Sequence, residues 1–158
     1  MSLRAEVVVA SNRAAAGVYE DSTGPLIVTF LRELGFVVDA PVVVPDGAPV
    51  GVAISEGAAG GARVVITTGG TGLTPTDLTP EVTRALLDRE VPGIAEAIRA
   101  HGVAQGVPAA VLSRGLAGTI GACLVVNLPG SSGGVKDGLT VLRPFLVHAV
   151  EQVAGSDH

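Results

Sequence analysis

The chain has 158 residues with 47% hydrophobic but only 3% aromatic side chains, so it fits one domain spanning 1–158 whose core is built from Val, Leu, Ile and Ala. A net charge of −5, a single lysine (Lys136) and no Lys/Arg cluster or aromatic platform argue against nucleic-acid binding. No apolar run nears the ~18 residues of a membrane span, and the opening residues Met1 to Glu6 lack a signal-peptide apolar region, so the expectation is a cytoplasmic protein.

In chain order, the apolar run "AEVVVA" at 5–10 predicts a strand, which opens into the polar loop "SNRAAAGVYEDSTG". A helix is expected over about 25–34, with Pro25 in its first turn and Gly35 after its end; Leu26, Phe30 and Leu34 recur every fourth residue on its core face. A second strand is expected at 36–44, ending in "VVVPDG", followed by a helix at 49–59 weakened by Gly51 and Gly57. "RVVITT" at 63–68 reads as the third strand. Helices are expected at 80–90 and 93–100, then strands at 108–113 ("PAAVLS") and 122–128 ("ACLVVNL"). In the last helix Val135, Leu139, Leu142, Leu146, Ala149 and Val153 alternate spacings of four and three, so Pro144 is expected to bend it without ending it. Strands alternating with helices, several of them apolar without period-two alternation, imply a three-layer α/β/α sandwich with a mostly parallel sheet.

Ligands of such sheets bind outside the carboxyl ends of the strands. Those ends carry Ser11-Asn12-Arg13, Pro45-Asp46-Gly47, Gly69-Gly70-Thr71-Gly72 and Asn127-Leu128-Pro129-Gly130-Ser131-Ser132. Glycines, hydroxyls, an amide, an arginine and a carboxylate would gather along one edge, a set suited to anions and metals. Successive amides of "GGTG" can form an anion nest, although a plain turn explains the motif alone equally well. Neither a P-loop nor a strand-linked G-x-G-x-x-G is present.

Asp46 and Asp77 lie just beyond strand ends. Singly each reads as a solvated turn acid; together they can hold Mg²⁺ against a nucleotide phosphate. Glu81 opens a helix, where an acid complements the dipole whatever the function. Ser113 and Arg114 follow a predicted strand, and Arg114 is either a surface arginine or a bidentate phosphate ligand. Cys123 is alone in an apolar run and reads as an inert buried thiol. His101, His148 and His158 show no ligand spacing.

The blocks "SNRAAAGVYEDSTGP", "VVPDG", "ITTGGTGLTPTDLTPE", "VPGIAEAIR", "LSRGLAG" and "LVVNLPGSSGGVKDGL" occur in the order and spacing of the MogA/MoaB-like family, from about residue 6 to 154. The chain thus resembles bacterial molybdopterin adenylyltransferases and the G domain of gephyrin and its plant counterparts. The resemblance implies a homotrimer that uses Mg²⁺ and ATP to adenylylate the terminal phosphate of molybdopterin, releasing pyrophosphate. The product would be handed to a separate molybdate-inserting protein.

By the same resemblance the catalytic and metal-binding acids fall on Asp46 and Asp77. The glycine loop falls on Gly69, Gly70, Thr71 and Gly72, and the helix-start glutamate on Glu81. "LSR" supplies Ser113 and Arg114, and the "LPG" segment is Leu128, Pro129 and Gly130 with Ser131 after it. Ser11, Asn12 and Arg13 would help hold the ligands. Three positions depart from the family pattern: Asn12 replaces a common aspartate, Thr76 a common arginine, and "GSSGG" a proline-containing loop. Two other functions fit the residues, a non-catalytic molybdopterin-binding or transfer protein and an unrelated Mg²⁺-nucleotide hydrolase. A mean hydropathy of +0.54 in so small a domain agrees with an oligomer that buries excess apolar surface.

Overall fold

The computed structural model describes residues 3–18 and 20–156. Met1, Ser2, Tyr19, Asp157 and His158 lie outside the described residues, and with them the readings of the opening residues, of Tyr19 in the first loop and of His158.

Three strands make the centre of the sheet: β1 (Arg4–Ala10), β4 (Val64–Thr68) and β7 (Cys123–Leu128). Every residue of β4 and β7 is buried, the consequence of being covered on both faces. They pair in parallel, Val7 beside Ile66 and Ile66 beside Val126. Their side chains divide by pleat: Val7, Ile66 and Val126 enter one core cluster, while Val8, Val65 and Val125 enter the other.

The first cluster is closed by α2 (Thr23–Glu33), α5 (Pro92–Ala104), α6 (Ser132–Leu142) and α7 (Leu146–Val153) through Ile27, Leu31, Ile94, Leu139 and Leu146. The second is closed mainly by Val50 and Ile54 of α3 (Ala48–Ala59), with Val82 of α4 (Thr79–Arg84) packed against it. Helices therefore flank a mostly parallel sheet on both faces, the three-layer arrangement expected. Among the described residues no helix is long and apolar enough to cross a membrane.

The strand expected at 36–44 is two short ones, β2 (Val37–Val38) and β3 (Val42–Val44), both parallel to β1. Val37 pairs with Arg4 but Val42 with Val8, so one extra residue bulges between them. Pro41, which has no N–H to give a ladder, lies in that interruption.

The segment 108–113 is not a strand. Pro108–Leu112 forms a 3₁₀ helix, and its Val111 and Leu112 are exposed, so the apolar run never enters the sheet. The sheet continues instead through β6 (Ala117–Ile120), which is antiparallel to β7. The two join by a two-residue turn whose Gly121 has φ 55°, a conformation glycine adopts without strain. Beyond β6 lies the antiparallel edge strand β5 (Arg89–Glu90). It cuts short the helix expected to 90, because Asp88 and Val91 donate to Thr119 and Ala117 across the sheet.

Pro144 ends α6 rather than bending it: helix stops at Leu142 and restarts at Leu146. Leu142, Leu146 and Val150 are nonetheless fully buried on one face. The apolar register survives where the backbone ladder does not. The loop at 11–24 also contains a short helix, α1 (Asn12–Ala15), and α2 begins earlier than expected.

Candidate functional site

Parallel registry decides where the chemistry gathers. Ala10 pairs with Val44, Val9 with Thr68, and Thr68 with Leu128. The four strands therefore end level, and the loops after them open onto one polar cleft of about 370 Å³. Ser11, Asn12, Arg13, Asp46, Gly69, Gly70, Asp77 and Gly130 all line it. The sequence puts these residues on one edge; the fold makes them neighbours.

Gly69 and Gly70 have φ values of 92° and 70°. The need for glycine there is also steric. A Cβ on Gly69 would collide with the Ala10 carbonyl, and one on Gly70 with Thr79 Oγ1 while lying 3.0 Å from Asp46 Oδ1. A Cβ on Gly72 would stand 2.8 Å from Asp77 Oδ2. The bare backbone makes room for both carboxylates. The loop is anchored from outside: Thr79 Oγ1 donates to Gly69 O (3.0 Å), Thr79 N to Gly70 O (3.0 Å), and Gly69 N to Leu128 O (3.2 Å).

Asp46 is tied to the end of β1. Its N–H donates to Asn12 Oδ1 at 2.9 Å, and the Asn12 backbone bonds its carboxylate in return. Burial and then the neighbouring Asp77 push the Asp46 carboxyl above its ordinary range, against which the Asn12 bond acts. A carboxylate whose ionisation is disfavoured by burial and by a neighbouring acid is a natural seat for a cation. Among the described residues no group of three His, Cys, Asp or Glu forms a metal cage. That donor set fits Mg²⁺, which is held through one or two carboxylates together with substrate phosphates.

Asp77 sits in a local turn, its N–H donating to Thr74 O and its Oδ2 accepting from Thr74 N, each at 3.0 Å. Glu81 and Arg114 stand behind this turn, not in the cleft. Arg114 spends its guanidinium on Glu81, on Gly72 O and on Asp77 O. Its partners are thus protein groups, unlike the phosphate-facing arrangement the sequence allowed. The Arg114 pairing also holds the Glu81 carboxyl below its usual range.

The other predicted residues divide. Thr71 is buried and hydrogen-bonds Ser113 Oγ at 3.3 Å. Leu128 is fully buried, so it serves the site only through its carbonyl. Ser113, Pro129 and Ser131 line a second, mainly apolar cavity of about 300 Å³. It adjoins the cleft across the 129–131 segment, and Ser131 Oγ caps α6 by accepting from Gly134 N at 3.0 Å. Asp21 and Thr68 were missed as cleft residues. Asp21 Oδ1 accepts from Thr23 N and Gly24 N, and Thr68 Oγ1 donates to Pro129 O at 2.7 Å. Asp21's position in the first quoted block was the available signal; Thr68, at the end of an apolar strand, gave none.

Fold and site define a class: a three-layer α/β protein with a glycine cradle and facing carboxylates at the carboxyl edge of its sheet. Residues 6–148 match the family described as "Probable molybdopterin binding domain", and the chain belongs to this molybdenum cofactor biosynthesis family. A Pyrococcus furiosus protein named molybdopterin adenylyltransferase is 38% identical over 149 residues, covering 92% of this chain and 88% of that one. A Synechococcus elongatus molybdenum cofactor biosynthesis bifunctional protein is 39% identical over 98% of this chain, which spans 48% of that longer protein. Among solved structures, the Mog protein of Mycobacterium ulcerans superposes with a TM-score of 0.93 at 46% identity, covering 99% of both chains.

Proposed function

We propose that the protein adenylylates molybdopterin: a terminal phosphate oxygen of the pterin attacks the α-phosphorus of ATP, the bond to the bridging oxygen breaks, and pyrophosphate leaves. The observation that carries this reading is the placement of Asp46 and Asp77 against the glycine cradle at the edge where the four parallel strands end. The names of the full-length relatives support it.

Phosphoryl-type transfer asks a protein chiefly to position reactants and neutralise charge. Bound Mg²⁺, held by Asp46 and Asp77, would supply the neutralisation. The chain's own groups do the rest. Backbone N–H groups of residues 70–72 bind phosphate oxygens, that of Gly69 being given to Leu128 O, and Ser11, Asn12 and Arg13 hold ligand from the end of β1. The apolar cavity beside Ser113 and Ser131 suits a flat heterocycle, with the hydroxyls at its rim for polar edges. Homotrimeric assembly, a cytoplasmic location and hand-over of the product to a molybdate-inserting protein belong to the same proposal.

Incubation with ATP, Mg²⁺ and molybdopterin should give adenylylated pterin and stoichiometric pyrophosphate. Pterin binding without pyrophosphate would identify a carrier instead, and ATP turnover without pterin would identify a hydrolase.

A further inference from the structure

Arg114 follows the 3₁₀ helix, one strand after Asp77 in the chain order, yet its side chain reaches across the loop that carries Asp77. Nε donates to Gly72 O at 2.9 Å and Nη2 to Asp77 O at 2.7 Å. Nη1 and Nη2 donate to the two oxygens of Glu81 at 2.6 and 3.2 Å. Its own N–H adds a bond to Thr71 O at 2.8 Å. One rigid planar fork thus fastens the start, the middle and the end of the 72–81 segment. Neither Arg114 nor Glu81 lines the cleft, whereas Asp77 does.

We propose that Arg114, clasped to Glu81, is a positioning residue that fixes Asp77 in the cleft and is not itself a phosphate ligand. The inference rests on the proposed transfer reaction for its catalytic arm only. The 73–78 segment lies outside any helix or strand, with Leu73 and Leu78 exposed, so little apolar packing holds it. Its shape depends on hydrogen bonds, and Arg114 supplies those that converge from outside the segment. Lysine cannot replace it, because a point charge on a flexible stem does not span acceptors on three separate residues.

The test uses the full chain as wild type, Arg114→Gln, Arg114→Lys and Glu81→Gln, with amide hydrogen exchange as the readout independent of activity. Thr74 and Asp77 amides, both bonded inside the turn, should exchange at least ~10-fold faster in both Arg114 variants, and by an intermediate factor in Glu81→Gln. Unchanged exchange in all three would overturn the clasp. In the catalytic arm both Arg114 variants should lose ~10–100-fold in AMP transfer, as misplacement of a positioned group predicts. In an Asp77→Asn background the further loss should shrink below ~3-fold, since the residue acts through Asp77. Rescue by lysine, or a full additional loss in Asp77→Asn, would make Arg114 a direct ligand and overturn the proposal. Should Arg114→Gln fail to fold, Glu81→Gln carries both arms, a smaller effect in the same direction being required. A wild type that transfers no AMP would sink the reaction, while the exchange arm would still decide the clasp.

Discussion

The two edges of the sheet each hold a group of acids, and only one has the surroundings of a candidate site. At the amino edge Glu6, Asp39 and Glu56 surround a cavity of about 210 Å³. Burial first, then Glu56 and Asp39, push the Glu6 carboxyl up, as burial and Asp77 do for Asp46 at the other edge. Acid against acid is therefore common to both. What differs is the surroundings. The carboxyl edge adds left-handed glycines whose backbone makes room for the carboxylates, hydroxyls from two strand ends, and Arg13. The amino edge adds Arg4, alanines, a valine and glycines. A cluster of carboxylates becomes a candidate site through its place in the topology, not through its charge alone.

The comparison is broken most directly by removing one acid from the carboxyl edge. Asp77→Asn should lower AMP transfer by about 10²–10³-fold, the scale of losing one preorganised electrostatic group, measured as pyrophosphate release at saturating ATP. Retained transfer would leave the two edges equivalent.

Glycine substitution should sharpen it. Gly61, at the end of α3, has φ 94° and open space where a Cβ would go. Gly61→Ala should cost about 1 kcal/mol, the left-handed strain alone. Gly70→Ala adds a collision with Thr79 Oγ1 and crowding of Asp46, so its unfolding free energy should fall by about 2–3 kcal/mol. Equal losses by denaturant titration would show that the cradle is an ordinary turn.

The smallest effect concerns pH. A carboxyl whose folded pKa is raised, as for Glu6 above its ordinary 4.5, binds its proton more tightly in the native state. Stability therefore falls as pH rises from the unfolded value through the raised folded one, and stays lower above it. Glu56→Gln removes the leading repulsion, so it should gain under about 1 kcal/mol at pH 7 and nothing at pH 3, with AMP transfer unchanged. On the same face of the sheet, burial pushes the Cys123 thiol up to about 12, so native protein should resist alkylation at pH 8.

The reach of the sequence follows the range of the interactions involved. Apolar continuity exposed β1, β4 and β7, and with them the edge on which Asp46 and Asp77 meet. The same signal misled at 108–113, because four apolar residues after a proline do not reveal whether a sheet position is open to them. β6 was hidden for the converse reason: Gly118 and Thr119 carry little hydrophobic signal, yet a Cβ at 118 would collide with Arg89 O, so small size is what the pairing requires. At the site, residue type showed which groups could act but not where they point. Leu128 faces the core while its carbonyl serves the loop, and Arg114 turns toward Gly72, Asp77 and Glu81. Those are contacts between residues 33 to 59 positions apart, Arg114 with Glu81 and Leu128 with Gly69 being the extremes, set by tertiary structure alone.

The central claim is that the carboxyl edge, and not acidity as such, performs AMP transfer. Label transfer from α-³²P-ATP to molybdopterin in wild type, Asp46→Asn, Asp77→Asn and Glu56→Gln measures it directly. The account predicts labelled pterin from wild type and Glu56→Gln at equal rates, and a loss of at least ~10²-fold in both carboxyl-edge variants. Equal labelling by all four proteins, or loss only in Glu56→Gln, would contradict it.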